Sequence, residues 1–262
     1  MLSEAILRRL TDARGISPTL FVPAKTGSTN NDAKAFAETS PCAPALFVTD
    51  RQTAGRGRQG KTFVSPPGGL YMSLLLPADV PSSGAVGVTG CAAVAVCRAV
   101  ESCAKIPARI KWVNDILIRT DTGYGKAAGI LCEATESGGR PYLVIGIGLN
   151  VTDAPVVEGA NFPPAALFPA KDREPGAHEA ENLCVTLTEQ LLSMAADGFR
   201  FSAVSAEYRS RSMVTGRVID FTRNGIASSG TVRRVNDDGS LTVDTEAGPV
   251  LLDSGEISVR IR

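Results

Sequence analysis

The stretch ALFVTDRQTAGRGRQGKTF, residues 45–63, decides how the rest of this 262-residue chain is read. Its first part, Ala45–Asp50, is an apolar run with the length and composition of a buried strand. The part at Gly55–Gly60 sets two arginines among three glycines. Glycine loses the most backbone entropy on ordering, so this composition does not suit the interior of a helix or strand. The pattern predicts a strand that delivers Gln52 and then a mobile loop carrying two forked guanidinium groups. Arginine grips phosphate or carboxylate oxygens in pairs. A flexible loop with such charge is suited to closing over an anionic ligand and excluding water. A solvated linker or a basic patch has the same composition, so the loop takes its meaning from its neighbours.

Upstream, Ser3–Arg14 reads as a short helix capped by Ser3 and Thr19–Pro23 as a strand. A turn TGSTN (Thr26–Asn30) follows, and then a helix Asp32–Glu38 with Thr29 or Asn30 as its cap. Downstream, Gly69–Pro77 reads as a strand and the small, apolar Gly84–Ser102 as a buried helix. Ala108–Ile118 has strand character broken at Asn114–Asp115, and residues 125–134 and 142–151 are two more strand-like runs. Thr152–Glu179, rich in Pro and Ala, reads as irregular connection, and Glu181–Asp197 as an amphipathic helix with Leu183, Leu187, Leu191 and Met194 on one side. After Arg211 the pattern alternates with period two, with a hairpin signal NDDG between Val235 and Ser240. The expected architecture is an α+β body with a mixed sheet flanked by helices, residues 1–211, and a small β-barrel, residues 212–262. No GxxxxGK[ST] loop is present and no GxGxxG opens a helix, so the usual nucleotide folds are not signalled.

Lys+Arg and Asp+Glu both number 27, which disfavours a bulk electrostatic role on DNA or an anionic membrane. No stretch reads as long and apolar enough to span a bilayer. The N-terminus MLSEAILRRLTDARG lacks an apolar core with a cleavage site, so no secretory signal is expected. The six cysteines (Cys42, Cys91, Cys97, Cys103, Cys132 and Cys184) form no CxxC pair and read as reduced residues of a cytoplasmic protein. His178 is the single histidine, which leaves little room for a histidine metal site or a Ser-His-Asp triad.

Four segments carry chemistry. Ser28, Thr29 and Asn30 in TGSTN could bind a small polar ring such as a urea, and would serve equally as helix caps. Gln52 precedes the Gly/Arg loop. KWVND, Lys111–Asp115, offers cation and carboxylate together; Asp115 could hold Mg²⁺, or Asn114 and Asp115 could bond their own backbone in a turn. GKAAGIL, Gly125–Leu131, sets one lysine among small and apolar residues, where its ammonium needs an anion: a ligand or a neighbouring carboxylate.

The order TGSTN, Q-x-x-GRGRxG, KWxND, GKxAGIL-x-E and GIGxNV, followed by a small β-domain, resembles the biotin–protein ligases (biotin–[acetyl-CoA-carboxylase] ligases) over Phe21–Ile261. The resemblance implies a catalytic domain like that of class II aminoacyl-tRNA synthetases, with an SH3-like C-terminal barrel. It implies that biotin and MgATP give biotinyl-5′-AMP, which then acylates a lysine on a biotin carboxyl carrier domain. Carried over by motif, Ser28, Thr29, Asn30, Gln52, Arg56, Gly57, Arg58 and Lys126 would hold biotin. Arg56, Arg58, Lys111, Asn114 and Asn150 would face the nucleotide, and Asp115 the metal. Arg58, Lys111 and Lys126 would carry catalysis by screening two anions from each other. The alternatives are a lipoate–protein ligase and a non-catalytic biotin-binding regulator.

Some positions depart from the family pattern. Val113 stands where proline is usual, and Gln59, Lys61 and Phe63 stand where Arg and Trp are frequent. About twenty residues precede the first strand, too few for a winged helix-turn-helix, so a ligase without repressor function and without DNA is expected. The resemblance also allows a homodimer through a sheet edge, with Tyr142–Leu149 as the candidate strand.

Overall fold

A computed structural model describes residues 2–39, 44–77, 84–169, 178–223, 225–253 and 258–261. Cys42 lies outside them.

Helix α1 (Glu4–Ala13) starts after Ser3, whose hydroxyl accepts from Ile6 N at 3.4 Å. Strand β1 (Thr19–Phe21) leads to helix α2 (Thr29–Thr39), and strands β2 (Ala45–Thr49) and β3 (Gly69–Pro77) follow. Helix α3 (Gly84–Ala104) precedes β4 (Ala108–Lys111), β5 (Asp115–Thr120), β6 (Gly123–Ser137) and β7 (Arg140–Asn150). These strands form one seven-stranded mixed sheet in the order β1-β2-β3-β7-β6-β5-β4, parallel only at β1–β2.

Both faces of the sheet are covered. Successive strand side chains point to opposite faces, so Leu46, Val48, Leu74 and Ile145 join the main core while Ala45, Phe47, Leu75 and Val144 pack toward α2. On the α2 side Phe47 stacks on Phe21 at 4.7 Å and meets Phe36 edge-on at 5.7 Å. This two-sided burial explains why β2 and β3 read as continuous apolar runs.

Helices α4 (Glu179–Ala196) and α5 (Ser205–Arg211) complete the body. Strands β8 (Val218–Arg223), β9 (Ile226–Val235), β10 (Leu241–Thr245), β11 (Gly248–Leu252) and β12 (Ser258–Ile261) form an antiparallel sheet ordered β11-β10-β9-β8-β12, an SH3-like arrangement. Its inward residues Ile219, Phe221, Val232, Val235, Leu241 and Val243 merge with the main core.

Four expectations are corrected. Helix α2 begins at Thr29 and not at Asp32, because Ser28 O accepts from Asp32 N at 3.0 Å and closes the first turn there. The run Ala108–Ile118 is no interrupted strand but a tight antiparallel hairpin, which sets Lys111 opposite Asp115. Tyr142–Leu149 is hydrogen-bonded to β3 on one side and β6 on the other, so it offers no free edge to a second copy. Gly84–Ala104 does satisfy the length and composition of a membrane span, with a mean hydropathy of 1.4. It is apolar all round because the fold surrounds it: 78% of that window is buried, and a Cβ on Gly90 would lie 2.5 Å from the Phe201 ring.

The described cysteines are unpaired thiols. Burial pushes Cys91, Cys97, Cys132 and Cys184 up to about 12, which keeps them protonated and unreactive.

Candidate functional site

The turn before α2 and the chain after β2 run side by side. Thr53 N donates to Thr26 O and Ala54 N to Gly27 O, each at 2.9 Å. Gln52 is thereby aimed at the first turn of α2, where its Oε1 accepts from Thr29 N at 2.9 Å while its Nε2 donates to Ser65 Oγ at 2.9 Å. Asn30 projects from the same turn. Its Oδ1 lies 2.6 Å from Ser73 Oγ, and its Nδ2 donates to Glu133 Oε2 at 2.8 Å.

The Gly/Arg segment is an ordered hairpin and not an open loop. Gly57 N donates to Lys61 O at 2.7 Å and Phe63 N to Gly55 O at 2.9 Å. Two glycines have definite jobs. A Cβ on Gly55 would fall 2.3 Å from Phe63 O, and Gly60 at the tip has φ +69°. The hairpin swings Phe63 onto a floor of bare backbone, where a Cβ would meet its ring at 2.9 Å from Gly129 and 2.5 Å from Gly148. Lys126 Nζ stands 5.7 Å from the centre of that ring.

Arg56, Arg58, Lys111 and Lys126 all have partners. Arg56 pairs with Glu133 at 3.0 Å, and Lys34 reaches the same carboxylate at 2.6 Å. Burial would raise the Glu133 carboxyl, but the hydrogen bonds from Asn30 and Lys34 and the nearby positive charges hold it below the usual carboxylate range. Arg58 donates to Asn114 Oδ1 at 2.7 Å. Burial lowers the Arg58 guanidinium, and the neighbouring Asp115 charge opposes that shift. Asp115 lies between two ammoniums, Lys126 at 2.7 Å from one oxygen and Lys111 at 3.3 Å from the other. Burial pushes the Asp115 carboxyl up, and the two lysines more than reverse this and hold it low.

All but one of the residues expected at the site (Ser28, Thr29, Asn30, Gln52, Arg56, Gly57, Arg58, Lys111, Asn114, Asp115 and Lys126) line a single cavity of about 220 Å³. The exception is Asn150, which lies behind the cavity wall. It is 4% exposed, and its Nδ2 donates to Lys126 O at 3.0 Å while its buried Oδ1 has no partner among the described residues. The main chain of Lys126 is further fixed by Pro163 O at 2.8 Å and Ala165 N at 2.9 Å. Sequence reasoning assigned no role to Glu133, Ser73 or the glycine floor. The glutamate ending GKxAGIL-x-E and the alternation of GIG in β7 were the available signals.

The cavity joins a neutral polar end, built from α2 and Gln52, to a cationic end of Arg58, Lys111 and Lys126. That arrangement suits a ligand with a polar ring and an anionic tail beside a further anion. Asp115 offers no free oxygen to a metal while Lys126 and Lys111 both face it.

The depressed carboxyls fix the sign of the acid response. Asp115 and Glu133 have folded pKa values below the unfolded values of about 4. Their contribution to stability is complete above the unfolded pKa and is lost as pH falls through it toward the folded pKa. Urea unfolding is expected to give a flat stability from pH 7 to about pH 5 and a decline below about pH 4, less steep in Asp115→Asn. A stability that rises below pH 4 would contradict these pairings.

Residues 22–150 match the model of the biotin/lipoate A/B protein ligase family. The chain is 30% identical over 246 residues to the biotin–[acetyl-CoA-carboxylase] ligase of Mycobacterium tuberculosis, covering 91% of this chain and 88% of that one. It is 31% identical over 244 residues to the Paracoccus denitrificans protein of the same name, covering 89% and 98%. It is 41% identical over 130 residues to the bifunctional ligase/repressor BirA of Bacillus subtilis, a match over 49% of this chain and only 39% of that relative's length. The fold is similar to the Aquifex aeolicus biotin protein ligase solved with biotin and ATP, with TM-score 0.73, 24% identity, and coverage of 93% and 99%.

Proposed function

The chain belongs to the biotin protein ligases of the biotin/lipoate A/B protein ligase family, and from that membership we propose that it attaches biotin to one lysine of a biotin carboxyl carrier domain, that of acetyl-CoA carboxylase or a related carboxylase. In the first step a carboxylate oxygen of biotin bonds to the α-phosphorus of ATP, the bond to the β-phosphate oxygen breaks, and pyrophosphate leaves. In the second, the carrier amine bonds to the acyl carbon, AMP leaves, and the amine gives up a proton.

The observation that carries this reading is one cavity that joins a polar pocket to three cations. Ser28, Thr29, Asn30 and Gln52 would hold the ureido ring. Hydrogen bonds between Thr29 and Gln52, from Gln52 to Ser65, and from Ser73 to Thr29 and Asn30 already fix three of these side chains, so little ordering remains for them on binding. Lys126, with Arg58 and Lys111, would screen the carboxylate from the triphosphate and then stabilise the charge that develops on the α-phosphoryl oxygens. To do so Lys126 would exchange its contact with Asp115 for the ligand, leaving Lys111 to hold that carboxylate. Arg56 and Gly57 would cover the adenylate and exclude water. Asn114, already bonded to Arg58, would share the nucleotide side with it, and Asn150 would act there by fixing the main chain of Lys126. Mg²⁺ would enter on the phosphates of the nucleotide. We also propose that residues 1–211 form the catalytic domain and residues 212–262 the C-terminal barrel.

The test is carrier labelling with purified protein, biotin and MgATP, with lipoate as the control acid. A carrier mass gain of one biotin with pyrophosphate release, absent with lipoate, is the expected result. Labelling with lipoate would make it a lipoate ligase. Biotin binding with no adenylate would make it a binding protein.

A further inference from the structure

Trp112 is the single tryptophan of the chain, and it forms part of the cavity wall between Lys111 and Asn114. It is 2% exposed, and a buried indole N–H needs an acceptor because it has no other way to satisfy its proton. That acceptor is not in the catalytic sheet. It is the carbonyl of Gly239, 2.8 Å away and 127 residues along the chain, in the turn between β9 and β10.

This turn is built to hold that carbonyl still. Asn236 N donates to Ser240 O at 2.8 Å, and the Asn236 amide donates to Ser240 Oγ at 2.9 Å. Asp238 accepts from Ser240 N at 2.9 Å. Gly239 has φ +89°, and a Cβ there would lie 3.2 Å from Val86 at the start of α3, so the turn is seated on that helix. From the other side Arg209 of α5 donates to Val235 O at 2.9 Å and pairs with Asp237.

The hairpin loop that Trp112 occupies carries Lys111, Asn114 and Asp115, and through them it is bonded to Arg58 and Lys126. The polar end of the cavity hangs on α2, Gln52 and Ser73 and, among the described residues, has no such link. We propose that the β9–β10 turn is a positioning element for the nucleotide side of the site, with the Gly239 carbonyl fixing Trp112 and thereby the three polar residues beside it. The assignment of that side to nucleotide rests on the ligase reading; the mechanical link does not.

The test uses the full chain with Asn236→Ala, which loosens the turn from outside the cavity, and Gly239→Ala, which strains it. Three quantities are read. They are the fluorescence emission of Trp112, the Kd for an ATP analogue with a methylene between the α- and β-phosphorus, and the Kd for biotin, the last two by calorimetry. The expected result in both variants is a red-shifted Trp112 emission, a nucleotide Kd raised about ten-fold, and a biotin Kd within about two-fold of the parent, the size expected when a supporting contact is lost. An unchanged emission and nucleotide Kd overturns the proposal. So does an equal rise of both Kd values, which a general loosening of the fold would produce. If the parent binds neither biotin nor the analogue, the ligase reading fails, while the emission of the variants still decides whether the turn holds Trp112.

Discussion

Lys126→Ala is expected to lower biotin-dependent pyrophosphate release by about 10²–10³-fold, the loss typical of removing one preorganised donor from a developing negative charge. The ammonium stands at the cationic end of the cavity, over the Phe63 ring and 2.7 Å from Asp115. Its main chain is bonded on both sides, to Pro163 and Ala165 and to Asn150, which fixes the point from which the side chain reaches into the cavity. The same substitution removes one of two partners of Asp115. A carboxylate left short of partners destabilises a fold, although Lys126 is 30% exposed at its side chain and solvent screens part of that effect. The double variant Lys126→Ala with Asp115→Asn separates the two consequences. Its thermal midpoint is expected to return toward that of the parent while pyrophosphate release stays low. Recovery of activity together with the midpoint would mean that Lys126 serves the fold and not the chemistry.

Gly146→Ala should have the second large effect, on the polar end of the cavity. A methyl on Gly146 would lie 2.0 Å from Asn30 Oδ1, well inside contact distance. Asn30 cannot retreat cheaply. Its nitrogen is bonded to Glu133 at 2.8 Å and its oxygen lies 2.6 Å from Ser73 Oγ. Overpacking of this kind costs about 1–3 kcal/mol, which corresponds to a biotin affinity lower by roughly 5–150-fold if the strain falls on Asn30. Gly27→Ala is the control: nothing lies within 4 Å of its Cβ, so it should bind biotin as the parent does. Calorimetric titration with biotin decides it, and a Gly146→Ala protein with unchanged affinity would remove Asn30 from the biotin contacts.

Much of this was legible in the chain because it depends on local chemistry. The glycines of residues 55–60 announce an irregular backbone, and the hairpin found there uses Gly55 for close approach and Gly60 for positive φ. Strands β2 and β3 read as apolar runs because both faces of the sheet are covered. The segment 108–118 was legible only in part. The Asn-Asp break was visible, but whether the chain continues or doubles back depends on pairing with β6, which no local pattern encodes. Tyr142–Leu149 shows the same limit from the other side. Its sequence suits an edge as well as a centre, and strand order alone put it between β3 and β6. The hydropathy of α3 likewise describes the helix and not its surroundings.

By itself, then, the sequence determined the chemical inventory: two loop arginines, two lysines, Asp115 four residues after the first of them, and the short polar side chains of TGSTN. Side-chain charge, hydroxyl content and glycine's conformational range are properties of residues, and they survive in any context. Only the tertiary structure decided who meets whom: Glu133 with Arg56, Lys34 and Asn30; Phe63 on the glycine floor; Trp112 with Gly239. Those pairings act over about 3 Å between residues as much as 127 positions apart. Interactions of that range are set by how the layers pack, because a shift of one strand register would break each of them.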